Sequence, residues 1–440
     1  MIDKPQLSSS YNKPFNITKE RIYNMINITI HRGANQIGGC ITEIATTKAK
    51  IIIDLGSNLP GNKVKELTVE QVTQITEDAD AIFYTHYHGD HIGLFHLVPN
   101  DIPQYIGKGA LEVIKCKYDT LSKHIDTKEE QNTINHMRTY FANEPIQIKD
   151  IRITPYFCSH SAFDAYMFKI ETEGKVILHT GDFRNHGYLG KGLDRILKYY
   201  IGQIDLLITE GTMLGRTQEK VLHEMDILSN TIKVLKRHKY VFALCSSTDL
   251  ERLASFKEAC KLTHRVFCCD HFLSSILDIF TKYTKSSIFN FSNKFLLNQY
   301  NEPKVREFLM KRGFLIPVRS SQIERIKKLI NTYNDAPPYL IYSMWQGYHN
   351  GQEEHLNPQI IAMRELFNGR IYDGTRDGFH TSGHADIKTL RDVCIRTNPH
   401  TGIIFIHKDF NSSIEALHLP TRIHLIRANT IRDNFAIRIY

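Results

Sequence analysis

The sequence reads Thr85-His86-Tyr87-His88-Gly89-Asp90-His91-Ile92-Gly93 directly after the short apolar run 81–84. Three imidazoles and one carboxylate fall within six positions, and these groups are ligands that divalent transition metals prefer. Because His makes up 22 of the 440 residues, the pattern His-x-His-x-Asp-His is expected by chance in roughly 0.003 of such chains. The stretch therefore predicts a metal site.

The spacing of these ligands indicates how they divide between ions. Side chains two positions apart on an extended segment point the same way, so His86 and His88 can bind one ion together. Asp90 and His91 fall where we expect the chain to turn into a helix over 92–98, so they face elsewhere. Two ions are therefore more natural than one.

Composition excludes several classes of protein. A chain of 440 residues with 42% hydrophobic residues has room for two or three domains, or for one domain interrupted by another. No apolar stretch approaches the roughly 20 residues that span a bilayer. The polar segment 1–27 has no apolar core of a signal peptide, so we expect an N-terminal extension there.

Cysteine spacing and net charge add two weaker expectations. The eight cysteines show neither Cys-x-x-Cys pairs nor the density of a disulfide scaffold, which predicts reduced, mostly buried thiols and a cytoplasmic protein. The net charge of +8 favours a polyanionic partner slightly. A metal at this site would accordingly be held by nitrogen and oxygen atoms.

Candidate ligands and acids recur at the ends of apolar runs. Such strand-like runs occur at 27–30, 49–53, 81–84, 151–157 and 175–179. Each of the last four is followed within three residues by a candidate ligand or acid, namely Asp54, His86, His160 and Asp182. This regularity is typical of a stacked-sheet enzyme whose site lies along one edge of a rigid scaffold.

The order of these residues resembles the metallo-β-lactamase superfamily. Its pattern is an early strand Asp, then His-x-His-x-Asp-His, a His, an Asp and a final His. The resemblance implies an α/β fold, an αββα sandwich, in which Asp54 supports the ligand loop without binding metal. It also implies two divalent ions, most naturally Zn²⁺ with Mn²⁺ as the alternative. One ion would be held by His86, His88 and His160, and the other by Asp90 and His91, with Asp182 as the bridge and His407 as the final ligand.

The final His lies 225 residues after Asp182, which resembles the β-CASP group of nucleases, where a second domain is inserted. Glu210 in Ile208-Thr209-Glu210-Gly211-Thr212 looks like motif A of that group. His384 in Thr381-Ser382-Gly383-His384-Ala385 looks like motif B, and His407, 23 residues later, looks like motif C. A His at motif C is typical of the RNA-processing members. We therefore expect a sandwich domain at 28–211 and 374–440, interrupted by an inserted α/β domain at 212–373.

The insert itself alternates helix and strand patterns. The expected elements are a helix at 219–237, a strand at 240–244, a helix at 249–262 and strands at 266–268, 314–318 and 339–342. This alternation predicts a small parallel sheet with helices on its faces. The segment 282–301 is predicted to be a mobile loop.

Several residues are candidates for substrate contact. Ser247 and Thr248 precede a helix and can receive a phosphate, although an ordinary N-cap by Thr248 or Asp249 is the favoured interpretation. Trp345, the only Trp, can stack a base, with core packing favoured. Ser382 and Gly383, the two residues directly before the motif B His, are further candidates.

The sequence therefore predicts a metal-dependent ribonuclease that acts on single-stranded RNA. The predicted catalytic residues are Asp90, Glu210 and His384, with His384 assisting the departing oxygen and Glu210 orienting it. A DNA nuclease, a catalytically silent RNA-binding subunit and a small-molecule hydrolase remain as alternatives. Only 33 residues follow His407, so we expect a compact form without the C-terminal domain of ribonuclease J proteins. Cleavage mode and oligomeric state stay open.

Overall fold

The computed structural model describes residues 25–62, 64–427 and 435–439. Within this range the strands form two seven-stranded sheets and one six-stranded sheet. The predicted N-terminal extension lies outside the described residues up to residue 24. The first described strand begins at Ile26, two residues before the expected start of the sandwich domain.

The first sheet begins as an antiparallel meander and continues with parallel strands. Its strands are β1 (Ile26–Arg32), β2 (Ile41–Ala45), β3 (Lys50–Ile53), β4 (Ala81–Phe83), β5 (Gln104–Gly107), β6 (Arg138–Tyr140) and β20 (Phe435–Ile439), in the order β20-β1-β2-β3-β4-β5-β6. In β1, Ile26, Ile28 and Ile30 are buried and alternate with partly exposed residues. This period of two places one face of β1 against the core.

The second sheet packs face to face on the first. Its strands are β7 (Ile146–Ile148), β8 (Ile151–Cys158), β9 (Ala165–Thr172), β10 (Lys175–His179), β11 (Leu206–Glu210), β18 (Gly402–Ile406) and β19 (Leu425–Ile426), in the order β19-β18-β11-β10-β9-β8-β7. One hydrophobic core joins Ile53 and Phe83 of the first sheet to Phe168, Ile208 and Ile404 of the second. The predicted sandwich is therefore confirmed.

The third sheet is parallel throughout, as the alternation of helices and strands predicted. Its strands are β12 (Tyr240–Leu244), β13 (Val266–Cys269), β14 (Phe295–Leu296), β15 (Phe314–Val318), β16 (Pro338–Tyr342) and β17 (Ile371–Tyr372), in the order β14-β13-β15-β12-β16-β17. The residues of β12 are all buried, as in a central strand covered on both faces. After β17 the chain returns to the second sheet through β18.

Helices cover the outer faces of the sheets. They are α1 (Val69–Thr76), α2 (Gly89–Ile92), α3 (Lys108–Leu121), α4 (Lys128–His136), α5 (Leu193–Ile196), α6 (Glu224–Arg237), α7 (Leu250–Thr263), α8 (His271–Tyr283), α9 (Pro303–Arg312), α10 (Ile323–Thr332), α11 (Gly347–Asn350), α12 (Pro358–Glu365) and α13 (Ile387–Thr397). Side chains of Asp249, Asp270 and Asp386 accept backbone N–H bonds at the starts of α7, α8 and α13. Among the described residues, no helix is both long and apolar enough to cross a bilayer. All eight cysteines are free, as predicted.

Three local expectations were wrong. The predicted helix over 92–98 is split into α2 and a 3-10 turn at Phe95–Leu97, because the N–H of Leu94 donates to the carbonyl of Leu55 instead of continuing the helix. The helix expected from 219 begins only at Glu224. The segment 282–301 is not a plain loop, since Phe289 and Phe291 are fully buried and β14 pairs with β13.

A buried network of five charged side chains joins the sandwich to the third sheet. Arg184, from the loop after β10, places Nη2 2.6 Å from Oε2 of Glu251 and 3.4 Å from Asp249, and Nη1 3.3 Å from Glu224. Arg252 pairs with Glu224 at 2.9 Å. Burial raises the pKa of Glu251, although the charge of Arg184 opposes that shift. The carboxylates depend on their guanidinium partners, because isolated buried charges are costly.

Replacing Arg184 by Met should lower the free energy of unfolding by about 3–5 kcal/mol, because it leaves buried carboxylates without a counter-charge. Urea denaturation followed by circular dichroism measures the effect. Arg376→Met is the matched control, since Arg376 is largely exposed beside Asp377, and it should leave the unfolding midpoint unchanged. Equal midpoints for the two variants would contradict a stabilising role of the network.

Candidate metal centre

The candidate ligands meet at one edge of the sandwich because they follow strands that end there. Asp54 follows β3, His86 follows β4, His160 follows β8 and Asp182 follows β10. His407 directly follows β18, whose neighbour β11 ends at Glu210. The structure thus brings together residues that are up to 353 positions apart in the sequence.

His86, His88 and His160 form one compact group, in which the possible ligand atoms all lie within 4.8 Å of one another. His88 Nδ1 and His160 Nε2 are 3.2 Å apart. This separation matches the spacing of about 3.3 Å expected between two nitrogens bound tetrahedrally to Zn²⁺ at about 2.0–2.1 Å. His86 Nε2 is buried and has no hydrogen-bond partner among the described residues. The group therefore fits a divalent cation.

A carboxylate behind the cluster orients two of its imidazoles. Asp54 accepts a hydrogen bond from His91 Nδ1 at 2.7 Å and one from the Thr85 N–H at 2.7 Å. The Thr85 hydroxyl donates to Asp54 at 2.8 Å and lies 3.1 Å from His86 Nδ1. These contacts occupy Nδ1 of both rings and leave Nε2 as the atom that faces the cluster.

His160 is oriented in the same way from the opposite side. Its Nδ1 donates to the carbonyl oxygen of Gly383 at 2.7 Å, which leaves Nε2 as the lone-pair nitrogen. Gly383 lies in the predicted motif B, 223 residues away in the sequence. The candidate ligand His160 therefore depends on the backbone of a distant segment.

A second group surrounds Asp182. Its Oδ2 lies 3.1 Å from His91 Nε2, 3.8 Å from His407 Nε2 and 3.9 Å from His160 Nε2. His407 Nε2 also lies 3.0 Å from Oδ2 of Asp90. Asp182 thus stands between the His86 group and the pair formed by Asp90 and His407.

Burial keeps several imidazoles in the neutral form that binds metal. It lowers the pKa of His86 and His160 well below the usual value, and lowers the pKa of His88 to about 4. Asp90, in contrast, stays in its charged form. Burial acts to raise the pKa of this carboxyl, but the hydrogen bond from His407 keeps the pKa well below its usual range. At His91, burial is outweighed by the charges of Asp182 and Asp54, which raise its pKa. The neutral imidazoles that suit a divalent ion are therefore those of the group His86, His88 and His160.

His384 stands beside this cluster and is more open to solvent, with 20% of its side chain exposed. Its Nδ1 lies 2.9 Å from Oε2 of Glu210, while Oε1 of Glu210 accepts the N–H groups of Phe183 and Ala385. Burial opposes protonation, but the carboxylates of Glu210 and Asp182 raise the pKa of His384 to about 9. The geometry resembles acid and base pairs in which a carboxylate orients an imidazole.

Sequence reasoning did not select Thr212 as a site residue. Its hydroxyl lies 2.7 Å from His407 Nδ1, donates to the His407 carbonyl at 3.2 Å and lies 3.2 Å from His384 Nδ1. It therefore links two histidines. In the sequence, the only sign of this role is that Thr212 stands two residues after Glu210, because a single Thr forms no recognisable pattern.

Backbone conformation at two of these positions is unusual. Asp54 and His407 have φ values of 62° and 53°, in the left-handed region that non-glycine residues seldom adopt. The N–H of Asp54 donates to the Phe83 carbonyl, and the N–H of His407 donates to the Gly33 carbonyl at 2.6 Å. Such strain persists where surrounding contacts over-determine it, and it concentrates at functional sites.

Gly56 shows why the loop after Asp54 needs a glycine. A Cβ atom at this position would lie 1.8 Å from the carbonyl oxygen of Asp90. Only glycine therefore lets this loop pack against the segment that carries the candidate ligands.

The predicted substrate-contact residues do not form one group. Asp249 is the N-cap of α7, which agrees with the favoured interpretation of that segment. Ser247 lies 3.4 Å from Arg319, and the Thr248 carbonyl accepts the hydroxyl of Tyr87. Trp345 is half-buried at the carboxyl end of β16.

Ser382 is buried and turned towards the protein. Its hydroxyl accepts the N–H of His384 at 3.1 Å, and its carbonyl accepts bonds from Arg184 and His186. Together with the Gly383 carbonyl on His160, these bonds hold the motif B segment in position. Arg184 is thus a second residue that sequence reasoning missed.

Comparisons with known proteins find similarity to one protein family, to several curated relatives and to a solved structure. Residues 50–241 match the β-lactamase superfamily domain. Ribonuclease J from Helicobacter pylori is 27% identical over 202 residues, which cover 42% of this chain and 28% of that protein. Probable RNase MJ4 from Methanocaldococcus jannaschii is 29% identical over 198 residues, covering 42% of this chain and 45% of that protein. Ribonuclease J from Mycobacterium tuberculosis is 29% identical over 173 residues, covering 36% and 28% respectively.

The matched part thus spans less than half the length of these curated relatives. A crystal structure of a protein of unknown function from Enterococcus faecalis V583 matches over 94% of this chain and 100% of its own, with a TM-score of 0.70 and 16% identity. At that identity the likeness concerns the fold alone.

Asp54→Asn should weaken metal binding by about 10–100-fold, because it removes the anionic acceptor that orients His91. Competition with a chromophoric chelator measures the affinity for Zn²⁺ directly. Asp80→Asn is the control: it removes the same charge at the opposite end of β4, where Asp80 pairs with Lys149. Wild-type affinity in Asp54→Asn would refute the orienting role.

Proposed function

We propose that this chain, a ribonuclease J-like member of the metallo-β-lactamase superfamily, is a metal-dependent nuclease that hydrolyses phosphodiester bonds of single-stranded RNA. One observation carries the proposal. His384, held by Glu210 at 2.9 Å, stands at the edge of a cluster of imidazoles and carboxylates that fits divalent metal. Relatives named as ribonucleases match 42% of this chain, which favours RNA over DNA.

We assign the candidate ligands to two ions. His86, His88 and His160 would hold the first, Asp90, His91 and His407 would hold the second, and Asp182 would bridge them. Zn²⁺ suits these nitrogen and oxygen donors, with Mn²⁺ as the alternative. When bound, two such ions would supply hydroxide at neutral pH and would polarise the phosphoryl oxygens of the scissile group.

We assign stabilisation of the departing oxygen to a side chain of the protein. With Nδ1 bound to Glu210, His384 would use Nε2 to donate a proton to the leaving oxygen or to stabilise the developing charge. Glu210 fixes the ring, and two backbone N–H groups fix Glu210 in turn. Asp182, 3.5 Å from His384 Nδ1, keeps this acid close to the metal cluster.

We also propose that the chain consists of a sandwich domain at 28–211 and 374–440 and an inserted domain at 212–373. The separate parallel sheet β12–β17 supports this division, as does the return of β18 to the second sheet. RNA would enter between the two domains, beside the candidate metal ligands.

The purified protein should cleave an RNA oligonucleotide labelled at one end faster than a DNA oligonucleotide of the same sequence. A time course with 5′-monophosphate and 5′-triphosphate RNA also separates endonucleolytic products from stepwise 5′-shortening. Faster cleavage of DNA would overturn the assignment to RNA.

Asp182→Ala should abolish cleavage and reduce bound metal together, because Asp182 lies between both ligand groups.

His384→Ala should retain its metal and lower kcat by about 10²–10⁴-fold, the usual contribution of a positioned acid. Metal content is measured by atomic emission, and kcat by product formation. His400→Ala, at an exposed position of the same domain, is the control and should behave as wild type. Wild-type turnover in His384→Ala would exclude the acid role.

A further inference from the structure

We infer, on the basis of the nuclease function proposed above, that Arg216 binds a backbone phosphate of the RNA strand beside the metal centre and that Trp345 holds its guanidinium in place. The Arg216 guanidinium carbon lies 4.9 Å from the centre of the Trp345 ring. This is the geometry of a cation–π contact, and Trp is the ring that makes the strongest ones. The two residues belong to different parts of the chain, since Arg216 follows β11 and Trp345 follows β16.

Arg216 is connected to the candidate ligands through the turn that it ends. Arg216 ends the 3-10 turn at Thr212–Gly215, and its N–H donates to the Met213 carbonyl. The first residue of that turn, Thr212, contacts His407 Nδ1 at 2.7 Å. Arg216 is therefore one short turn away from a residue that fixes a candidate ligand.

Trp345 is connected to the candidate ligands through its aromatic neighbours. The Trp345 ring packs edge to face against Tyr348 and His355, each at 5.4 Å between ring centres. His355 adjoins Gly61, where a Cβ atom would lie 2.9 Å from His355 Nδ1. Leu59, two residues before Gly61, and Asp90 both lie beside Gly38, where an added Cβ atom would be 2.9 Å from Leu59 Cγ and 2.9 Å from Asp90 Cβ. A series of close contacts thus connects the aromatic group to the candidate ligand Asp90.

The guanidinium of Arg216 forms no ion pair within the part of the chain that the structure describes. Among the described residues, no carboxylate oxygen lies within 4.0 Å of it, whereas Arg184, Arg252 and Arg319 all form ion pairs. With one face against the indole, the N–H edge of Arg216 stays open to a phosphate, whose oxygens match its planar fork.

A shallow pocket continues from this edge towards motif B. It has a volume of about 200 Å³, and its charged lining residues are Arg216, Lys388, Glu219 and Asp386. Asp386 uses its carboxylate to cap α13. A strand that follows this pocket from the metal cluster would therefore meet two cationic side chains, with Glu219 as the remaining carboxylate of the lining.

A purely structural role for Arg216 makes a different prediction from phosphate binding. Each phosphate contact on a single strand releases counterions, so the slope of log K against log salt changes by about 0.7 per contact. A cation–π contact that only joins two segments does not alter that slope. Salt dependence therefore discriminates between the two roles.

The experiment measures binding of a labelled single-stranded RNA by fluorescence anisotropy from 50 to 300 mM KCl. His384→Ala, loaded with Zn²⁺, is the background that slows cleavage. Adding Arg216→Gln should weaken binding about tenfold and reduce the salt slope by about 0.7. Arg216→Lys should keep the slope. Arg396→Gln removes an equal charge from a half-exposed residue paired with Asp194 and should change neither quantity.

Cleavage and fluorescence supply two independent readouts. In the otherwise wild-type protein, Arg216→Gln should raise KM about tenfold and leave kcat within about twofold, as expected for lost binding common to substrate and transition state. Trp345 is the only Trp of the chain, so RNA should change the intrinsic fluorescence of the unmutated protein in a saturable manner. That measurement holds even if a variant fails to fold.

The outcomes separate the two levels of inference. RNA that is cleaved and bound with an unchanged slope in Arg216→Gln, or without any change in Trp345 fluorescence, overturns the role of Arg216 alone. Failure of the wild-type protein to bind or cleave RNA overturns the nuclease assignment and the role of Arg216 with it.

Discussion

The parallel pairing of β11 with β18 is the constraint on which the site depends. Its register sets Glu210 opposite Ile406, so the carboxylate at the end of one strand and His407 after the other emerge side by side. The intervening chain, almost 200 residues long, forms its own sheet and returns to the same edge. The His86 group, His384 and Thr212 can meet only because this one register is satisfied.

Much of this arrangement was readable from the sequence because its signals are dense or ordered. The cluster at 86–91 combines ligand residue types in a short span, and Asp182, Glu210 and His407 each come at the end of an apolar run or within three residues of it. Period and strand length likewise predicted β12, β15 and β16. The helix over 92–98 was wrong because periodicity cannot reveal that Leu94 hydrogen-bonds to Leu55 across the loop.

Other parts could not be predicted because they arise from tertiary contacts. Arg184 looks like an ordinary loop residue, yet it is fully buried among three carboxylates of the inserted region. The Gly383 carbonyl that orients His160 carries no side-chain signal at all. Thr85 and Thr212 become meaningful only once their hydroxyls are seen between imidazoles and carboxylates. Short polar residues and backbone groups thus complete a site of which only the charged residues and histidines are recognisable in the sequence.

The late position of His407 bears on how the protein is made. During synthesis, the cluster at 86–91 leaves the ribosome long before its partner strand β18 exists, so the early part of the chain can gather some ligands but not close the site. Closing a loop of this length carries an entropic cost that only the finished sheet offsets. The last candidate ligand can therefore join the cluster only after β18 has been synthesised and has paired with β11, which ties completion of the site to the folding of the whole segment between these two strands.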